Sequence, residues 1–153
     1  MNAAEEKLLD DLKQKNAVLE NLAKQRSIEL CEKTKQLEIE TALEKVRSVA
    51  LGLKKSDELL DIAEILYYQL FSLGFINIRN VVIDIHIDEI GGFLDYDFSP
   101  EMGRTITKMN YNDHPIIRKQ IEQLNASKDG FFEIILEGED LIELKELRIK
   151  NGE

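Results

Sequence analysis

The chain has 153 residues, with 20 Lys and Arg against 30 Asp and Glu and a formal charge of −10, the size of one domain or of a small domain carrying an extension. Its 43% hydrophobic and 33% charged residues, with a mean hydropathy of −0.28, are enough for a core and argue against a wholly disordered chain. The acidic balance, with no basic patch clear of neighbouring acids, sets nucleic acid aside as a partner, and the single cysteine, Cys31, excludes an intrachain disulfide and any multi-cysteine metal site.

The first residues read MNAAEEKLLDD, with neither a basic n-region nor an apolar run, so no secretion or transit signal is expected. No stretch approaches the roughly 20 apolar residues of a membrane span. A reducing cytoplasm, with no membrane contact by this chain, is the expected setting.

From Ala3 to Leu51 there is no Gly or Pro, and Glu, Lys, Leu, Gln and Ala dominate. One long helix is predicted, about 75 Å at ~1.5 Å per residue, which must find a partner or lie bare. Spacings of three and four set Leu9, Leu12, Asn16, Leu19, Ala23, Arg26, Leu30, Lys33 and Leu37 in one heptad seam. An Asn in such a seam fixes register in a two-stranded parallel coil at a cost in stability. A homodimer through this helix is expected; the alternative is a solvated helix folded back on its own domain. Beyond Leu37 the stripe passes to Ile39, Leu43, Val46, Ala50 and Leu53, one residue out of phase. That break puts the junction near Leu37 to Thr41, with a coiled-coil helix over 1–40 and a domain over 41–153, of which 41–53 is helix packing onto it.

Gly52 and Lys54–Lys55–Ser56 end this helix, and Ser56, Asp57 and Glu58 open the next. Its stripe is Leu59, Ile62, Ala63, Leu66, Leu70 and Leu73, closed by Gly74 with Phe75 as the apolar residue of a left-handed cap. Val81 to Phe98 reads VVIDIHID, EIGG, FLDYDF, a hairpin with Glu89 to Gly92 as a four-residue loop. That register opposes His86 to Asp95 and Asp84 to Asp97. It puts Ile83, Ile85, Ile87, Leu94, Tyr96 and Phe98 on one face and Asp84, His86, Asp88, Asp95 and Asp97 on the other. A third strand, Arg104 to Tyr111, is expected to set Arg104 and Lys108 beside Asp95 and Asp97. A helix with Ile117, Ile121 and Leu124 inward, a strand at Phe131 to Leu136, and a helix from Glu139 to Lys150 with Leu141, Leu144 and Leu147 complete an α+β domain.

Little here carries reaction chemistry. There is no phosphate loop, dinucleotide fingerprint, nucleophile elbow or metal-binding helix motif, so no catalytic residue and no cofactor is expected. Asp84, His86 and Asp95 are residue types that bind divalent cations, but alternating Asp on a strand is ordinarily a solvated face, and no metal is expected. His86 opposite Asp95 reads as a cross-strand pair, His114 before Pro115 as a helix cap, and Cys31 as an exposed thiol. Phe93, Tyr96, Phe98, Met109 and Tyr111 are candidates for a ligand pocket between sheet and helices, Tyr96 and Tyr111 foremost because a buried hydroxyl needs a partner. Core packing explains most of them as well.

The order of a long coil, two helices, a three-strand meander, helix, strand and helix resembles the GAF-type sensory domain of bacterial signalling proteins. LEIETALEKVRSVALGLKKSDELLDIAEILYYQLFSLGF (Leu37 to Phe75) and FLDYDFSPEMGRTITKMNYNDHP (Phe93 to Pro115) resemble the region before the kinase core in two-component sensor histidine kinases of Bacteroidetes-like bacteria. The resemblance implies a cytoplasmic, dimeric, non-catalytic regulatory module coupled by its coil to upstream or downstream signalling domains. The alternative is a small-molecule-binding domain whose helix is only an oligomerisation handle. Two departures stand out: no phosphoacceptor-histidine helix or ATP-binding domain is present, and the last strands of a GAF sheet are missing, which would leave an exposed edge.

Overall fold

The computed structural model describes residues 2–151 as helices and one three-stranded antiparallel sheet behind a long N-terminal helix. Helix α1 is unbroken over Ala3–Gly52. Its start is held reciprocally: the Asn2 side chain accepts the Ala4 N–H at 2.7 Å, and Glu5 accepts the Asn2 N–H at 2.9 Å, satisfying two of the donors a helix start leaves open. The chain divides into two compact units between Glu44 and Lys45. In the last turns of α1, Ala42, Val46, Val49 and Leu53 are the less exposed positions, while Ile39, Leu43 and Ala50 are exposed. The covered stripe therefore keeps Val46 and Leu53 of the expected series and replaces the rest; both series have 4-3 spacing, and the pattern alone did not separate them.

In the second unit a 3₁₀ turn at Ser56–Glu58 leads into α2, Leu59–Ser72, with the Glu58 carboxylate accepting the N–H of Lys54 and Lys55. The α2 end is a Schellman cap. Gly74 sits at φ +99°, its N–H donates to Phe71, and the Phe75 N–H donates to Leu70, a conformation that favours glycine.

Strands β1 (Val81–Ile87), β2 (Gly92–Ser99) and β3 (Gly103–Asn110) form the meander in the order β1-β2-β3. The hairpin closes on Ile87 opposite Gly92, so Asp84 opposes Asp95 and His86 opposes Phe93. The expected register is thus off by two. Asp88–Ile90 form a 3₁₀ turn and Gly91 takes φ +60°, which moves the connection one residue towards β1. A slip of two preserves the faces, and the division of side chains stands.

One face packs on α2, where Ala63, Tyr67, Val81 and Phe98 form a core with Leu66, Leu70, Ile78 and Ile83 around it. The other is covered by α3 (Pro115–Ala126) and α4 (Glu139–Asn151), where Phe93, Met109 and Ile117 join Tyr111, Ile121 and Leu147. Two expectations are corrected on this second face. Asp95 and Asp97, read as solvated, are each only 5% exposed, because α4 lies over them. Arg104 and Lys108, expected beside them, belong to the α2 face: β3 opposes Thr107 to Asp95 and Thr105 to Asp97, and Arg104 binds Asp61, at 2.6 Å, and Glu64.

The segment 131–137 is not a strand. Its alternation survives as burial, with Phe132, Ile134 and Leu136 half-buried and Phe131 and Ile135 at 73% and 80% exposure, but no strand of the sheet pairs with it. Periodicity specifies which side chains turn inward; it does not supply a neighbour for the ladder.

Candidate functional site

Two features are built from the residues singled out above. The first is the seam of α1. Leu9, Leu12, Leu19, Leu30 and Leu37 are between 43% and 67% exposed, and Asn16, Ala23, Arg26 and Lys33 are exposed as well. Leu8 and Leu22 flank the seam and are equally open. Cys31 is an exposed thiol. An apolar row of this length in water is the kind of surface that marks an interaction site.

The second lies between the sheet and α3–α4: a cavity of about 190 Å³ lined by Val82, Asp84, Phe93, Asp95, Met109, Ile117, Gln120, Leu144 and Arg148. The ladder and the two helices explain its composition. Val82 and Asp84 come from edge strand β1, Phe93 and Asp95 from central β2, and Met109 from β3, all on one face. Ile117 and Gln120 descend from α3, and Leu144 and Arg148 from α4. His114 fixes the start of α3, accepting the Ile116 N–H on Nδ1 at 3.2 Å, and reaches Glu143 of α4 through Nε2 at 2.9 Å.

The electrostatics centre on Arg148. Its guanidinium binds Asp97 and lies 3.5 Å from Asp95, with these side chains 14% and 7% exposed; Asn80 donates to Asp97 at 2.8 Å. Asp84, at the rim, makes no hydrogen bond or ion pair among the described residues. Its pKa is pushed up, first by burial of the carboxyl and also by Asp97, while His86 and Arg148 pull it down. Thr107 is fully buried opposite Asp95, and its hydroxyl finds no hydrogen-bond partner among the described residues.

The sheet separates the five pocket candidates. Phe93, Met109 and Tyr111 lie on the α3–α4 side, with Phe93 and Met109 in the cavity wall, whereas Tyr96 and Phe98 are on the α2 side. Tyr111 is engaged elsewhere, its hydroxyl 3.2 Å from His86 Nδ1 and its ring stacked on the imidazole at 5.8 Å. That contact replaces the expected pairing of His86 with Asp95. Asp84, His86 and Asp95 do not converge, since His86 turns to Tyr111 and Asp95 towards Arg148; among the described residues no group of three or more His, Cys, Asp or Glu is placed to hold a metal ion. Among the described residues no helix is long and apolar enough to cross a membrane.

Comparison with known proteins adds nothing to this geometry. No family model, curated protein or solved structure matches the chain.

The cavity residues that sequence reasoning missed are Val82, Gln120 and Arg148. A signal for Arg148 was present: it stands four residues after Leu144, within the apolar stripe of α4 rather than opposite it, and a basic residue in such a stripe asks for a buried acid.

Proposed function

We propose that this chain is a non-catalytic regulatory module of a bacterial signal-transduction protein of the sensor histidine kinase type, a GAF-like domain that pairs with a second copy through α1. The exposed seam carries this reading. Leu9, Leu12, Leu19, Leu30 and Leu37 repeat at heptad spacing on an uninterrupted helix that contributes to both compact units. In a parallel, in-register pair Asn16 meets its own copy, and Lys15 faces Glu20 of the partner, both arrangements that favour two parallel strands. The module works in the cytoplasm, between upstream and downstream signalling domains. Polar Asn16, Arg26 and Lys33 keep the seam from being uniformly apolar, so two helix packings lie close in energy and a small bias at the domain selects between them.

Light scattering on the full chain at tens of micromolar tests this: the expected mass is that of two chains, and Leu12→Asp with Leu19→Asp returns it to one. A single-chain mass for the unsubstituted protein removes the reading. The cavity favours a second reading, in which a small molecule bound to the domain supplies the signal and α1 serves only to bring copies together.

A further inference from the structure

The outer edge of β1 is open. Asp84, Ile85 and His86, consecutive within the strand, are all exposed, Ile85 at 39%, and among the described residues no backbone group of another element bonds to Val81–Ile87 from that side. The alternation of the ladder fixes which groups are left over. Tyr111 N–H donates to the Gly91 carbonyl at 3.0 Å, so Gly92 and Asn110 are a non-hydrogen-bonded pair and Gly92 turns its own N–H and C=O to Ile87. Counting back by twos, Ile85 bonds to Leu94, while Asp84 and His86 turn their N–H and C=O away from the sheet. The other edge strand, β3, carries Arg104 and Lys108, the kind of charged side chain that blunts an edge. β1 has no Lys, Arg or Pro and pairs residue for residue with β2, without a bulge.

We propose that β1 pairs antiparallel with β1 of a second copy about a two-fold axis through Ile85, joining the two sheets into one. The register follows from charge. An axis perpendicular to the sheet keeps each face continuous, so every residue opposes one of its own face. Centred on Asp84, the pairing sets that carboxylate against its own copy; centred on His86, it sets Asp84 against Asp88, and both are like-charge pairs. Centred on Ile85, it opposes Asp84 to His86 and Ile83 to Ile87 on each side of the axis, with the two Ile85 side chains meeting as a non-hydrogen-bonded pair, the closer kind. The outward N–H and C=O of Asp84 then bond those of His86 in the other copy. The imidazole suits this place: its Nδ1 stands 3.2 Å from the Tyr111 hydroxyl, which leaves Nε2 to meet the opposed Asp84 carboxylate. A single strand edge is a small contact against the ~1,200 Å² of a stable interface. The inference therefore rests on the proposed pairing through α1, which holds the copies at millimolar effective concentration.

Cross-linking of the full chain tests this. In a Cys31→Ser background, Ile85→Cys sets two thiols at the opposed position, within the roughly 4.4–6.8 Å of Cα separation that a disulfide spans. Ile106→Cys, exposed on the same face of the other edge strand, reports random collision. At tens of micromolar in a glutathione buffer, Ile85→Cys is expected to form the two-chain disulfide about tenfold faster than Ile106→Cys. The Asp84 and His86 amides are expected to exchange slowly with solvent in the parent and quickly in Ile85→Lys, which sets two lysines face to face. Light scattering keeps the two readings apart. A two-chain mass with equal cross-linking of the two cysteine variants, or with freely exchanging Asp84 and His86 amides, overturns the edge pairing and leaves pairing through α1 in place. A single-chain mass removes pairing through α1, and the cysteine contrast repeated at millimolar protein then decides the edge: faster cross-linking of Ile85→Cys retains it, and equal rates overturn it.

Discussion

Arg148 of α4 and Asp97 of the central strand form an ion pair almost closed to solvent, their side chains 14% and 7% exposed, whereas Arg104 on the opposite face pairs with Asp61 and Glu64 at 46% exposure. The two arginines differ in what their removal leaves behind. Arg148→Ala takes a guanidinium away from two buried carboxylates and is expected to destabilise the domain by about 3 kcal/mol, while Arg104→Ala is expected to cost about 1 kcal/mol or less. Urea unfolding of the two variants checks the contrast, and comparable losses would contradict it.

Thr107 carries a hydroxyl with nothing to bond to among the described residues, at 0% exposure. Replacing it by Val keeps the shape and removes the desolvated group, so Thr107→Val is expected to stabilise the ligand-free chain by about 1 kcal/mol. A raised thermal midpoint is the readout; a fall of similar size would mean that the hydroxyl has a partner after all.

Asp84 has its pKa raised in the folded chain, chiefly by burial. A raised pKa means that folding favours the protonated acid, so this residue favours the folded state fully below its unfolded pKa and loses that contribution as pH rises through its folded pKa. Asp84→Asn should therefore gain in stability relative to the parent as pH rises from about 3.9, the ordinary aspartate value, to neutrality, and the difference should vanish at the acid end. Thermal midpoints of both proteins across that interval give the answer.

Gly92 tests the hairpin. A Cβ built there would lie 2.2 Å from the Met109 carbonyl oxygen and 3.0 Å from the Asn110 Cα, both backbone atoms that cannot step aside. Gly92→Ala is expected to cost about 3 kcal/mol or more, beyond ordinary overpacking, whereas Gly52→Ala, with open space around it, is expected to change stability little. Chemical denaturation of the pair separates close approach from a general glycine effect.

The parts of this fold that were legible in the sequence are those set by local periodicity. The long helix, α2 with its Gly74 cap, the three-strand meander and the His114 cap follow from composition, spacing and turn residues acting within a few positions. The hairpin faces were legible and its register was not, because Gly91 and Gly92 are adjacent and either could take the turn; the positive φ fell to Gly91 and the close approach to Gly92. What covers Asp95 and Asp97 was not legible. Alternating Asp on a strand describes a face, and the face became interior only because α4 brings Arg148 from 51 residues away. The same holds for 131–137, where an alternating sequence acquired no neighbouring strand.

That last segment carries a consequence for handling the protein. FFEIILE combines high β-propensity with a single internal charge, Glu133, and a second at its end, Glu137, and it presents Phe131 and Ile135 to solvent without a ladder partner. Such a stretch is a template for cross-β stacking between copies, and the two glutamates are the gatekeeper charges that oppose it. Replacing either glutamate by a neutral residue therefore weakens the chain's protection against fibril growth.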